Sequence, residues 1–213
     1  MNDYQVNEVF NTIQGEGLNS GQPATFIRLQ GCSVGCVWCD TKYTWAKGGT
    51  RWAARPLVLS LDLKPLVVIT GGEPTLYNLD DLITELRIVG QHRWGYNFKV
   101  QLETSGQNEL KGNIVPDWIT CSPKPNLGFT IPPMLARHIA ELKWVIDDDI
   151  TEANIKAGYD FVKNVQPQNR VYNILMPEGT PPSEDAIHRA MWMLELHPEW
   201  RFSDRLQWRL NVR

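Results

Sequence analysis

The sequence predicts an α/β fold: an incomplete, TIM-like β/α barrel of about six to seven mostly parallel strands with reduced helices, formed by a single domain over residues 1–213. Three observations predict it. Seven short runs carry the apolar or alternating pattern of strands, and only three or four helical signals fall between them. The length of 213 residues is also short of the roughly 250 that a complete eight-fold barrel usually takes.

The elements follow in chain order. Residues 24–29 and 66–70 are apolar runs, the second (LVVIT) ending in Gly71 and Gly72, and an uninterrupted apolar run suits a parallel strand buried on both faces. In residues 98–104, Phe98, Val100 and Leu102 alternate with Lys99, Gln101 and Glu103. Residues 118–121 (WITC), 142–146 (LKWVI) and 171–176 (VYNILM) supply three more strands. The last strand is expected at residues 205–212, where Leu206, Trp208, Leu210 and Val212 alternate with Arg205, Gln207, Arg209 and Asn211. Arg201, Arg205, Arg209 and Arg213 fall at helical spacing in the same stretch, but its apolar residues do not. A helix is expected after Asn78 as N-cap, with Asp80 and Asp81 in its first turn and Leu82, Ile83 and Leu86 on one face. Thr151 caps a second helix, over residues 151–164, and Ser183 a third that carries Ile187, Met191 and Leu194. Residues 104–117 are too few, and too rich in Gly and Asn, for a crossover helix, and residues 122–133 are mostly loop.

Composition narrows the class of function. A formal net charge of -3, with a pI near 5.8, argues against a surface built for nucleic-acid phosphates. The N-terminal stretch MNDYQVNEVF has neither a basic nor an apolar leader segment, and no window approaches the roughly eighteen uninterrupted apolar residues of a membrane span. The expectation is a cytoplasmic protein without membrane partners, its four cysteines kept as thiols.

Three of those cysteines, Cys32, Cys36 and Cys39, lie in GCSVGCVWCDT directly after the run at 24–29, in a C-x3-C-x2-C pattern. Chance clustering of core thiols is a poor account of three in one Gly-containing loop. A structural zinc wants four protein ligands, and His92, His138, His188 and His197 are all distant in sequence, though folding could bring one near. An iron–sulfur cluster on three thiolates leaves one iron without a protein ligand, which suits chemistry better than storage. Cys121 reads as a buried structural thiol.

The C-x3-C-x2-C loop with Trp38 before its third cysteine, joined to GGEP at Gly71, Gly72, Glu73 and Pro74, resembles the radical S-adenosylmethionine (SAM) enzymes. The resemblance implies a [4Fe-4S] cluster on Cys32, Cys36 and Cys39, chelation of SAM by its open iron, backbone groups near Gly72 that hold the SAM amino group, and one-electron cleavage of SAM to a 5′-deoxyadenosyl radical. Within that superfamily, NEVFNTIQGEGLNSGQPATFIRLQGC and CVWCDTKYTW, followed in order by ITGGEPTL, LETSGQ and TCSPKPN, resemble the 7-carboxy-7-deazaguanine synthase family over about residues 6–126. That likeness implies a lyase of the queuosine and 7-deazapurine route. It would convert 6-carboxy-5,6,7,8-tetrahydropterin to 7-carboxy-7-deazaguanine by radical ring contraction with loss of ammonia, using Mg2+.

Site residues follow from the same likeness. Ile13, Gln14, Gly15 and Glu16 match the pterin-reading loop; Arg28 would pair bidentately with the substrate carboxylate, and Thr70 and Arg213 are further substrate contacts. Thr41 matches the position whose oxygen ligates Mg2+. Trp38, Gly72, Thr104, Ser105, Ser122, Pro123, Lys124 and Met176 are the SAM-binding candidates; nearly all follow strand runs, where parallel β/α sheets hold their ligands. Implied partners are a reducing protein such as a flavodoxin and a second copy of the chain, since a barrel short of helices leaves apolar sheet surface to cover. Relatives often carry a longer insertion than the thirty residues between Cys39 and Thr70, a His where Gln207 stands, and a terminal Pro in place of Arg213. Two other functions share parts of the pattern: a glycyl-radical activase, which needs no TIQGEG loop, and an iron–sulfur electron carrier, which needs no GGEP.

Overall fold

The six central runs form strands where their patterns predict, and three further strands complete one sheet. The computed structural model describes residues 2–212. Its strands are β1 (Asp3–Ile13), β2 (Pro23–Leu29), β3 (Thr50–Ala53), β4 (Leu66–Gly71), β5 (Lys99–Thr104), β6 (Trp118–Cys121), β7 (Glu141–Ile146), β8 (Tyr172–Pro177) and β9 (Arg201–Phe202). Their order is β3-β1-β2-β4-β5-β6-β7-β8-β9. From β2 to β9 every neighbouring pair is parallel; β1 runs antiparallel to both β2 and β3.

The helices are α1 (Ala54–Leu59), α2 (Asp80–Trp94), α3 (Pro133–Ala136), α4 (Glu152–Val165), α5 (Glu184–Leu196) and α6 (Leu206–Arg209). Only α2, α4 and α5 are long, and β5 passes to β6 with no helix at all, so the crossovers are indeed reduced. The expected caps act at α4, where Thr151 and Asn154 form a reciprocal capping box, and at α5, where Ser183 Oγ accepts from Ala186 N at 3.1 Å. At α2 the N-cap is Leu79 rather than Asn78, whose Oδ1 still accepts from Asp80 N at 2.9 Å.

Strand alternation sorts the sheet into two faces. Ile27, Leu29, Val67, Ile69, Val100, Leu102, Leu142, Trp144 and Ile146 are buried in one core with Leu82, Ile83 and Leu86 of α2 and Ile155 and Val162 of α4. Each such aliphatic side chain removed from water contributes about 1.5–3 kcal/mol before entropy is counted. The opposite face carries Arg28, Thr70, Glu103 and Lys143, polar side chains that line a pocket. That division explains why β5 alternates and why a lysine can stand inside the otherwise apolar β7.

One expected strand does not form, and β1 forms where no strand was expected. The strand expected at residues 205–212 is instead the short helix α6 followed by a turn. The sheet ends at β9, with Ser203 N donating to Leu175 O at 2.9 Å, and the chain then turns back toward the loop after β1, where Leu206 N donates to Gly15 O at 3.0 Å. Trp208, Leu210 and Val212 stay largely exposed, which removes the buried face that alternation implied. The sequence also hides β1, because a bulge shifts its pairing between Val6 and Glu8 and breaks the two-residue period. Among the described residues no helix is long and apolar enough to cross a membrane.

Candidate active site

The chain leaves β2 at Leu29 and enters the cysteine loop through Gly31, whose φ of 97° suits glycine. Gly31 N donates to Thr44 O at 2.7 Å, Ser33 pairs with Gln107, and Asn126 Nδ2 donates to Val34 O, so three separate segments hold the loop. Cys32, Cys36 and Cys39 are free thiols that line one pocket of about 250 Å³ at the carboxyl ends of the parallel strands. Burial pushes the Cys32 and Cys36 thiols up; at Cys36 the Lys124 ammonium opposes this, while the neighbouring cysteines reinforce it. A bound metal would reverse that shift by ligating the thiolate. None of the four histidines lines the pocket, and among the described residues no three His, Cys, Asp or Glu side chains are grouped to hold a single metal ion. Three soft thiolates fit an iron–sulfur cluster and do not complete a structural zinc site. Cys121 is fully buried on β6, outside the pocket lining, and burial drives its thiol far above the ordinary range.

The GGEP segment is locked against this loop. Gly72 N donates to Leu29 O at 2.9 Å and Glu73 N to Gly31 O at 2.8 Å. The Glu73 carboxylate is buried and accepts from Thr75 N (3.0 Å), Thr75 Oγ1 (2.7 Å), Thr104 Oγ1 (2.6 Å), Ser105 N (2.8 Å) and Ser105 Oγ. One side chain therefore fastens the end of β4 to the end of β5. Trp38 Nε1 donates to Asp147 at 2.8 Å, and the Lys124 ammonium lies 4.8 Å from the centre of the Trp38 ring and donates to Ser122 at 2.7 Å. Trp38, Gly72, Thr104, Ser105, Ser122, Lys124 and Met176 all line the pocket; Pro123 does not.

Gln14, Gly15, Glu16, Arg28 and Thr70 line the same pocket, whereas Ile13, at the end of β1, does not, and Arg213 lies outside the described residues. Arg28 Nε donates to Glu8 at 2.8 Å, and its guanidinium lies 5.7 Å from the centre of the Phe10 ring. Thr41 precedes a short 3-10 turn without capping it, and its hydroxyl lies 3.5 Å from Cys39 Sγ beside Asp40 in the pocket wall.

Among the pocket residues that the sequence did not single out for the site are Glu103, Lys143, Arg205 and Gln207. Lys143 Nζ lies 2.7 Å from both Glu16 and Glu103. The helix α6 places Gln207 Nε2 3.0 Å from Glu16 and Arg205 Nε 3.8 Å from it, and Leu206 N donates to Gly15 O at 3.0 Å. Gln207 Oε1 is buried with no partner among the described residues. Burial raises a carboxyl, but the Lys143 ammonium, with Arg205 and Gln207, holds Glu16 down at about 2. For Lys143 and Glu103 a signal existed, since each is a charged residue within a strand pattern; for Arg205 and Gln207 the mistaken strand concealed it.

No protein-family model matches the chain. It is 31% identical to the 7-carboxy-7-deazaguanine synthase of Buchnera aphidicola subsp. Schizaphis graminum over 99% of both chains. It is 36% identical to the synthase of that name from Synechocystis sp., over 99% of this chain and 94% of that protein. To the one from Escherichia coli (strain K12) it is 38% identical over 66% of this chain and 70% of that protein. The crystal structure of QueE from Escherichia coli superposes with a TM-score of 0.78 at 29% identity, covering 96% of this chain and 94% of that one.

Proposed function

The chain belongs to the 7-carboxy-7-deazaguanine synthase family, and from that premise we propose that its pocket takes 6-carboxy-5,6,7,8-tetrahydropterin and converts it to 7-carboxy-7-deazaguanine, with loss of ammonia. It is a radical SAM lyase. The observation that carries the substrate reading is that Cys32, Cys36 and Cys39 share one pocket with the Arg28 guanidinium and the Glu16 carboxylate. A carboxylated, N–H-rich heterocycle needs those two opposite charges beside the radical source.

When bound, the cluster and SAM supply a carbon-centred radical, and the protein's part is to hold and orient the reactants. Cys32, Cys36 and Cys39 would ligate the cluster. Gly72, Thr104, Ser105 and Ser122 offer strand-end polar groups to SAM, with Trp38 and Lys124 stacked beside them. Arg28 receives the substrate carboxylate, Glu16 accepts from its guanidine-like edge, and Gln14 and Thr70 complete the contacts. Thr41, its hydroxyl unused in capping, would ligate Mg2+ with Asp40 and substrate oxygens nearby.

The sheet is read as an incomplete barrel formed by one domain. Supporting this, the loop after β1, the second strand from one edge, reaches Glu141 and Lys143 on β7, the third strand from the other edge, as Leu18 N donates to Glu141 at 2.8 Å. Such a reach needs a curled sheet. A one-electron donor such as a flavodoxin fits the cysteine loop, whose Val37 is 85% exposed. Exposed Trp192 and Leu196 of α5, with Phe202 on the edge strand β9, support a homodimer, and the free thiols suit the reducing cytoplasm.

The test is anaerobic reconstitution followed by incubation with SAM, dithionite, Mg2+ and 6-carboxytetrahydropterin, read by mass spectrometry. 7-Carboxy-7-deazaguanine is expected. 5′-Deoxyadenosine without it would overturn the substrate, and glycyl-radical formation on a partner protein would favour an activase. No SAM cleavage would leave only an electron carrier.

A further inference from the structure

Lys143 stands in the middle of β7 with its side chain 8% exposed, on a strand whose every residue is buried. Its ammonium joins Glu16, from the loop after β1, to Glu103 on β5, at 2.7 Å each. Both carboxylates are otherwise engaged on the side away from the lysine. Glu16 Oε1 accepts from Gln207, with Arg205 at 3.8 Å, and Glu103 Oε1 accepts from Gln14 at 3.1 Å and Gln101 at 2.8 Å. The remaining charged groups around the cluster are Glu141 on the same strand, turned to Leu18 N and Thr120, and Lys124 beside Trp38. Buried ion pairs of this kind seldom add net stability over apolar packing, so a role in stability explains the triad poorly.

We propose that Lys143 is a positioning residue that keeps Glu16 and Glu103 together as a pair of ionised acceptors for the ring N–H groups of the substrate. The inference rests on the pterin reading above. Glu16 and Glu103 share the Lys143 ammonium, and like charges held near one another repel, so without that cation Glu16 takes up a proton more readily. A protonated carboxyl presents a donor where the ring N–H requires an acceptor, and an unmet buried donor costs affinity. A lysine suits the position because its ammonium is a compact charge with three donors, enough to serve two carboxylates at once.

The experiment compares reconstituted wild type with Lys143→Met and Lys143→Arg. It measures equilibrium binding of 6-carboxytetrahydropterin and of SAM, and the pH profile of kcat/KM for product formation. In Lys143→Met, pterin binding should weaken by about tenfold or more, SAM binding should stay within about twofold, and the acid limb of the profile should move to higher pH. Lys143→Arg, which keeps the charge, should recover part of the pterin affinity and return the limb toward wild type. Wild-type pterin affinity with an unshifted limb in Lys143→Met would overturn the proposal alone. So would an Arg variant that folds, as judged by circular dichroism, yet loses as much affinity as the Met variant. A wild-type enzyme that neither binds nor converts the pterin would overturn the substrate reading and this proposal with it.

Discussion

A Cβ on Gly72 would collide with the carbonyl oxygen of Gly31, so the end of β4 and the entrance of the cysteine loop meet backbone to backbone. The neighbouring Gly71, at φ 144°, is equally closed to a side chain by Leu29. The spacing between the thiol loop and the strand-end groups of GGEP is thereby fixed by the absence of atoms.

Gly72→Ala should push the two segments apart. A backbone clash of this kind costs about 1–3 kcal/mol, and SAM affinity should fall about tenfold while the circular dichroism spectrum holds. Unchanged SAM binding and iron content would show that the contact does not set the site.

The cysteines divide by position. Cys36→Ala should abolish both the reconstituted iron–sulfur absorbance and SAM cleavage. Cys121→Ala removes a buried thiol outside the pocket and should cost only about 1–2 kcal/mol of stability, with iron content and activity retained. Iron analysis of the two variants side by side checks the division.

Glu73→Gln replaces an acceptor of five donated hydrogen bonds with an amide that must turn N–H groups toward some of those donors. The expected loss is about 2–4 kcal/mol in denaturant unfolding. The mobility it gives Thr104 and Ser105 should also weaken SAM binding. A variant as stable as wild type would contradict the clamp.

Stability should respond to pH in two opposite ways. Burial pushes Glu141 from 4.5 up to about 7, against the Leu18 N–H that it accepts. The folded chain thus holds a proton that the unfolded chain releases. Its contribution is full below pH 4.5 and is lost as pH rises to about 7, roughly 3 kcal/mol in all. Glu16, held down at about 2 although burial opposes it, behaves in reverse: its contribution is present above pH 4.5 and lost as pH falls toward 2. Glu141→Gln should therefore be more stable than wild type at pH 8, and the gap should close toward pH 4.5 in denaturant midpoints. A gap independent of pH would refute the assignment.

Legibility in the sequence followed local rules. β4 and β7 were readable as short apolar runs and β5 by its alternation, and α4 and α5 because Thr151 and Ser183 cap them. The cluster loop was readable because the spacing of its three thiols is itself the chemical requirement, and GGEP and TIQGEG were readable through the family likeness. β1 was not, since its bulge at Asn7 changes the face on which successive residues fall. The stretch at 205–212 misled because alternation predicts a strand only where one set of side chains is buried, and here Trp208, Leu210 and Val212 stay exposed while Leu206 N and Gln207 are held by Gly15 and Glu16.

By itself, then, the sequence determined the α/β class, the three thiols, the strand-end glycines and the family likeness, all of which rest on residues close together in the chain. The tertiary structure alone decided that Lys143 answers Glu16 across 127 residues and that Gln207 reaches Glu16 across 191. Such pairings depend on the order of strands in the sheet and on the path of the chain after β9. A buried charge can be recognised from its strand, but its counter-charge is chosen by whichever segment the fold brings within hydrogen-bonding distance.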